Sequence, residues 1–295
     1  MKTKIHFIVN PVAGSGDNEL SMSYLNTFFE GDFYEITVKE SLYPKHSIEL
    51  CKESISEKAN IIVACGGDGT INEIASSLVH SNVILGIIPM GSGNGLASNL
   101  KIPVNVKKAL QIIRNYNVIE IDAGTINEEL FFSNTGCGFD AHVIADFEKN
   151  SKRKLWSYIR SVLRSFRTYN YPNTFELQYS NEKKSLNPFL IFISNSNEMG
   201  YNMSLTPTAS LQDGLLDVIL VPKLSLLKMI SFTFLFFIKK HYWLEEVELI
   251  KVDSIALFRQ SGNVIKVQKD GESMELNSDI IKVKLLAKAL KVCVN

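Results

Sequence analysis

The sequence predicts an α/β chain: an N-terminal parallel-sheet domain followed by a mostly antiparallel, β-sandwich-like domain. Three observations predict it. Up to Ile121, short apolar runs alternate with segments at helical spacing, the rhythm of parallel strands joined by crossover helices. Beyond Ile121 the segments become short, β-rich and separated by turn residues, as in a sandwich or barrel. Glycine-bearing loops also follow three of the early strands, where open parallel sheets bind their ligands.

Taken in order, KIHFIV (Lys4 to Val9) reads as a first strand and SMSYLNTFF (Ser21 to Phe29) as its helix. YEITV (Tyr34 to Val38) leads to HSIELCKESI (His46 to Ile55), and NIIVAC (Asn60 to Cys65) to INEIASSLV (Ile71 to Val79). VILGIIP (Val83 to Pro89) precedes LASNL and VKKALQIIRNY (Val106 to Tyr116). Ile61 to Cys65 and Val83 to Ile88 are nearly continuous apolar runs, as expected of strands covered on both faces. The second half offers strands within Glu129–Gly136, Thr174–Ser180, Phe189–Ser196, Leu215–Val221, Val252–Phe258, Asn263–Gly271 and Ile280–Leu286. The boundary is placed at residues 1–122 and 123–295, with the last strand able to return to the first domain.

Composition excludes several classes. Hydrophobic residues at 45% and charged residues at 21% describe a folded chain. Lys plus Arg balance Asp plus Glu at 31 each, so no global charge favours nucleic acid or a membrane, and steering falls to local patches. Cys51, Cys65, Cys137 and Cys293 form no CxxC pair, which suits a reducing cytoplasm. The apolar run Ile5 to Val9 is too short for a signal-peptide core. Leu224 to Ile238, broken by Lys228, falls short of the roughly 20 residues of a spanning helix. It reads as a buried or interface segment, with a monotopic membrane contact as the alternative. Lys149 to Phe166, with the Arg167 that follows, sets Arg153, Arg160, Arg164 and Arg167 on one helical face and Leu155, Tyr158, Ile159, Val162 and Phe166 on another. Such a helix either meets anionic headgroups or packs its apolar side on the core.

The three loops are VNPVAGSG (Val9 to Gly16), CGGDGTINE (Cys65 to Glu73) and PMGSGNGLA (Pro89 to Ala97). Glycines let phosphate oxygens approach backbone N–H groups at helix N-termini. Asn10, Thr70 and Ser92 add polar side chains. Asp68 is the odd member: a carboxylate among phosphates serves a metal or a proton transfer, or else caps the helix that follows. No GxxxxGK[ST] is present, and the first loop lacks the third glycine of a dinucleotide fingerprint.

The combination NPxxG, GGDGT with Asn72 and Glu73, and PxGSGN resembles the diacylglycerol kinase catalytic domain. That family includes soluble bacterial lipid kinases and the sphingosine and ceramide kinases. The likeness continues through FFSNTGCGFDAHV (Asn134, Gly138, Asp140), LTPTASLQDGLLDVILV and KVQKDGE. GGDGT alone is shared with NAD kinases and is close to the GGDGS of phosphofructokinases. The resemblance implies an ATP- and Mg2+-dependent lipid kinase, cytoplasmic or peripheral at the inner face of the membrane, with a lipid substrate, no nucleic acid and a homodimer as one option. It places ATP on Asn10, Pro11 and Gly14, on Ser41, on Gly66, Gly67, Asp68, Gly69, Thr70, Asn72 and Glu73, and on Gly91, Ser92, Gly93 and Asn94. Lys45 stands where the family usually has glycine, and Gly95 where bacterial members often have aspartate. The resemblance makes Glu272 the general base with Asp270 shaping its loop, or Asp68 the base instead. It gives a structural Mg2+ the Asp213 side chain, with the carbonyls of Ser210 and Leu215. Against these stand plain hairpin turns at Asp213-Gly214 and Asp270-Gly271. A sphingoid base or other lipid alcohol, a soluble acceptor such as NAD, and a nucleotide-binding regulatory protein are the alternatives.

Overall fold

Apolar runs without polar alternation become inner strands in the computed structural model of the protein, which describes residues 2–14, 20–91, 93–149, 155–169, 174–198, 203–259 and 264–295. The chain divides into two units, Met1–Ile121 with Lys288–Asn295, and Asp122–Ala287.

In the first unit β1 (Thr3–Val9), α1 (Met22–Leu25), β2 (Tyr34–Glu40), α2 (His46–Ser56), β3 (Ile61–Gly66), α3 (Asp68–Leu78), β4 (Ile84–Pro89), α4 (Gly95–Asn99) and α5 (Val106–Asn115) follow one another. The strands lie in the order β2-β1-β3-β4, all parallel. Every residue of β3 and β4 is buried, so each strand must be apolar on both faces. The register sets Cys65 beside Val9 on one side and Ile88 on the other. The ladder then runs into the loops, with Asn10 N donating to Cys65 O at 2.9 Å and Met90 N to Gly66 O at 2.8 Å. Three chain reversals therefore begin at one edge of one sheet.

Some elements differ from expectation. The helix read over Ser21 to Phe29 is a single turn, capped by the Ser21 hydroxyl, which accepts from Tyr24 N at 3.3 Å. Thr27 then bonds back to Tyr24 O, the local side-chain competition that limits such turns. Val292 of the last strand lies parallel to β4 beside Leu85.

The second unit contains the end of β5 (Val118–Ile126), then β6 (Glu129–Phe131), β7 (Asn134–Gly138), α6 (Phe139–Glu148) and α7 (Leu155–Thr168). β8 (Phe175–Tyr179), β9 (Glu182–Leu186), β10 (Pro188–Ser194), β11 (Leu216–Pro222) and α8 (Leu226–Phe237) come next. A 3-10 turn at His241–Trp243 leads to β12 (Glu248–Val252), β13 (Ser254–Arg259), β14 (Ile265–Lys269), β15 (Glu272–Leu276) and the start of β16 (Ile280–Cys293). One sheet has the order β12-β11-β10-β7-β14-β15 and is antiparallel throughout. Opposite it, β13 pairs antiparallel with β8 and with the start of β16. Inward residues of both sheets, among them Leu177, Ile191, Val218, Leu257, Val267 and Val283, form one core, the layering of a sandwich. All four cysteines are buried thiols, and burial pushes Cys51, Cys137 and Cys293 up to about 12.

The two amphipathic candidates part company here. α7 turns its apolar side to the core: Tyr158 and Val162 pack on the cluster around Phe189 and Phe192, and Phe166 lies tilted against Phe139 and stacked on Phe189. Arg164 pairs with Asp146 at 3.1 Å. Residues 150–154 of the basic stretch, Arg153 included, lie outside the described residues, as do the side chains of Leu155 and Ile159. In the Leu224–Ile238 run Leu224 is buried in the core, and α8 follows with Phe232 as its one buried residue.

Candidate active site

Three loops meet at the edge of the parallel sheet, and each pair is tied by a distinct contact. Asn10 Nδ2 donates to Thr70 Oγ1 at 3.1 Å, joining the first loop to the second. Gly14 has φ +71, and a Cβ there would stand 2.8 Å from Met90 O, so the first and third loops touch through bare backbone. A Cβ on Gly91 would come within 2.7 Å of Gly67 Cα, so the second and third loops meet at two glycines. These positions forbid side chains for a steric reason and leave a cradle of backbone in front of α3.

Asp68 closes the arrangement. It occupies the first turn of α3, yet its carboxylate reaches across to the third loop. Oδ2 accepts from Asn94 N at 2.8 Å, and Oδ1 from Gly95 N at 2.6 Å. The carboxylate thus caps α4, the helix after the one it begins, which enlarges the local cap considered for it. Asn94 is left-handed, φ 53, and its side chain closes the turn by accepting from Gly91 N at 2.9 Å and donating to Gly91 O at 2.6 Å. Gly66 ends β3, Gly67 is the N-cap of α3, Gly69 and Asn72 lie on α3, and the Glu73 carboxylate accepts from Ser47 Oγ. Pro11 follows Asn10 in the first loop. Ser41 N donates to Val9 O at 2.8 Å, placing that hydroxyl residue at the same sheet edge. Gly93 adjoins Asp68, while Ser92 and residues 15–19 lie outside the described residues. Glycine-lined backbone at one sheet edge, facing the N-terminal end of α3, fits the phosphates of a nucleotide.

In the second unit Asp270 and Gly271 make the two-residue turn between β14 and β15, with φ 49 and 80. Both angles are positive, as an Asp-Gly hairpin requires. The side chain does more than turn the chain. Its Oδ1 accepts from Ser133 N at 2.7 Å and Asn134 N at 3.1 Å, and Oδ2 from Phe132 N at 2.9 Å. Burial outweighs these bonds and pushes the Asp270 carboxyl up to about 6. Glu272 follows on β15 opposite Lys269, with its side chain exposed. Gln268 braces the turn, donating to Asn134 Oδ1 at 2.8 Å and accepting from Gly271 N at 3.1 Å.

Asp140 lies in the FFSNTGCGFDAHV segment, and nothing in its local sequence assigns it a role. It sits in the first turn of α6, only 6% exposed, and its Oδ2 lacks a hydrogen-bond partner among the described residues. Burial pushes its carboxyl up to about 7, against the pull of Gln268. A folded-state value above the unfolded one means the native state holds the proton more tightly. Stability from this group is therefore present at low pH and is lost as pH rises through the window from about 4 to about 7. Asp140→Asn should remove that loss: unfolding free energies of wild type and variant from urea titrations should diverge across the window, by up to about 4 kcal/mol in favour of the variant. Parallel curves would show that Asp140 does not titrate there.

The Asp213 carboxylate is already committed. Oδ1 accepts from Leu215 N at 3.2 Å, and Oδ2 faces Lys251 Nζ at 2.7 Å. The same ammonium lies 3.2 Å from Asp217 Oδ2 and 3.4 Å from Thr208 O. Lys251 thus supplies the positive charge at this turn, and a cation bound by Asp213 with the Ser210 and Leu215 carbonyls would have to displace it. Among the described residues no three His, Cys, Asp or Glu side chains gather as a metal site. The arrangement as it stands does not fit Mg2+ at Asp213. Neither Lys251 nor the buried Asp122, whose Oδ2 accepts from Gly214 N at 2.9 Å, was singled out from sequence. Both partnerships span long separations that no local motif encodes.

Residues 4–126 match the diacylglycerol kinase catalytic domain, and residues 133–294 match the YegS C-terminal NAD kinase beta sandwich-like domain. A protein of Escherichia fergusonii named "Probable lipid kinase YegS" is 36% identical over 53% of this chain and 54% of its own length. The diacylglycerol kinase of Bacillus subtilis is 27% identical over 77% of this chain and 76% of its own. The chain therefore spans about half of the first of these relatives. A solved structure from Bacillus anthracis str. Sterne covers 99% of this chain and 98% of its own at TM-score 0.78 and 23% identity, a likeness of fold. With both matched segments in order, the chain belongs to the family that joins a diacylglycerol kinase catalytic domain to a YegS-type C-terminal β-sandwich-like domain.

Proposed function

We propose that the protein is an ATP- and Mg2+-dependent lipid kinase that transfers the γ-phosphate of ATP to the hydroxyl of a lipid such as diacylglycerol. The carrying observation is the three-loop cradle that Asp68 locks at the sheet edge. The names of the relatives, lipid kinase and diacylglycerol kinase, support the acceptor class. The backbone from Gly66 to Thr70, the Asn10 and Gly14 loop and the Gly91 to Asn94 turn would hold the phosphates, with Ser41, Asn72 and Glu73 beside them. Such a site works by positioning and by neutralising charge.

In the transfer the acceptor oxygen bonds to the γ-phosphorus, and the bond from that phosphorus to the bridging oxygen of ADP breaks. The hydroxyl proton passes to a carboxylate. Glu272 takes that role in this reading, because its side chain is exposed, whereas both oxygens of Asp68 are occupied by backbone donors. Asp270 holds the turn that carries Glu272. A cytoplasmic protein that touches the membrane only peripherally would suit a lipid acceptor. Among the described residues no helix is long and apolar enough to cross a membrane.

A second reading, an NAD kinase, is favoured by the NAD kinase-like character of the C-terminal match. One experiment separates the two: transfer of labelled γ-phosphate from ATP with Mg2+ to lipids in mixed micelles, with NAD as the soluble competitor. The panel includes diacylglycerol, monoacylglycerol, a sphingoid base, ceramide and phosphatidylglycerol. Labelled lipid is expected, and labelled NADP alone would overturn the lipid reading.

A further inference from the structure

α8 is apolar on two sides. Its inner side, with Phe232, Met229 and Phe236, packs on the cluster that contains Phe189, Ile219 and Val221. Its outer side carries Leu226 (78% exposed), Leu227 (78%), Ile230 (60%), Phe234 (67%), Phe237 (74%) and Ile238 (49%). At about 100° per residue these six fall within one arc of about 120°. Ser231 and Thr233, whose hydroxyls donate to backbone carbonyls of the helix itself, mark its two borders. A folded chain gains nothing in water from such a surface, and contiguous exposed apolar patches mark interaction sites.

The rim identifies the occupant. Lys239 and Lys240 close the C-terminal end of the helix, and Lys228 lies on its flank, where it pairs with Glu246. Trp243 is 64% exposed, with the Lys240 ammonium 5.3 Å from the centre of its ring. A broad apolar arc, cations at its border and an exposed indole beside them match a bilayer interface, where acyl chains, anionic headgroups and the aromatic zone lie in that order. At 12 residues the helix is far short of the roughly 20 needed to span, so it lies in the interfacial plane. We propose that the outer face of α8 docks the protein on an anionic phospholipid bilayer, inserting Leu226, Leu227, Ile230, Phe234 and Phe237 below the headgroups. The choice of a membrane over a protein partner draws on the lipid-kinase reading, but the docking itself does not require turnover.

The test uses the full chain, without ATP, sedimented with phosphatidylcholine vesicles that contain or lack phosphatidylglycerol. Wild type should partition onto the anionic vesicles. Leu227→Ser, Phe234→Ser and Phe237→Ser together should lower the partition coefficient by about 100-fold or more. Their thermal midpoint should stay near wild type, because all three side chains are exposed. Lys239→Ser with Lys240→Ser should lower it by about 10-fold or more on anionic vesicles and hardly at all on neutral ones. Equal binding by the apolar triple variant would overturn the proposal, as would failure of wild type to bind anionic vesicles. A wild-type dimer in lipid-free solution that the same triple variant disperses would assign the face to a second copy and overturn it too. Because binding is read without substrate, loss of the kinase reading would leave this result standing, and loss of docking would leave kinase activity in micelles intact.

Discussion

Asp68→Ala should lower kcat by about 100-fold or more, a scale set by the loss of positioned transition-state contacts. The reason lies in the distance over which this carboxylate acts. It begins α3 but accepts the backbone N–H groups of Asn94 and Gly95, so it fixes the third loop against the second. Alanine leaves both donors without that acceptor, at a cost of about 1–3 kcal/mol for each one that stays buried. Asn94 is 5% exposed and held left-handed, so release of its N–H should loosen the whole turn. Asp68→Asn retains one acceptor oxygen and should recover part of the activity with a raised KM for ATP. Thermal melts and ATP titrations on the same preparations check this. A variant with normal ATP affinity and normal turnover would show that the third loop holds its shape without the carboxylate.

Glu272→Gln should show the opposite division between chemistry and stability. Loss of a general base costs about 100- to 10,000-fold in turnover, while an exposed side chain on a hairpin strand contributes little to folding. The expected pattern is a large fall in kcat, little change in KM for ATP and an unchanged melting temperature. Asp270→Ala should instead fail through structure. It strips the acceptor from the N–H groups of Phe132, Ser133 and Asn134, and its melting temperature should fall along with its activity. If Glu272→Gln keeps wild-type turnover, the base lies elsewhere and Asp68 is the next carboxylate to examine.

Much of this was legible because the signals are local. Continuous apolar runs at Ile61 to Cys65 and Val83 to Ile88 have to be inner strands, and β3 and β4, the second of which begins one residue later at Ile84, are fully buried. Lys45, noted as standing in place of a glycine, has φ 68. That position demands the left-handed region that glycine adopts without strain. Asp270-Gly271 reads correctly as a hairpin turn, but nothing local announces that its carboxylate gathers three amides 136 to 138 residues away. Asp140 and Lys251 are hidden for the same reason. One is buried beside Gln268, 128 residues away along the chain, and the other meets Asp213 across 38 residues. The outward face of α8 was obscured differently: a run of apolar residues has the same composition whether it faces a core or a bilayer.

The burial of every native thiol makes the chain a ready-made background for site-specific labelling. With Cys51, Cys65, Cys137 and Cys293 enclosed and held protonated by burial, maleimide chemistry at neutral pH should pass them by. A thiol introduced at Ile230 could then carry a spin label or an environment-sensitive dye into the lipid on its own. Its depth would be read directly, with no native cysteine removed first.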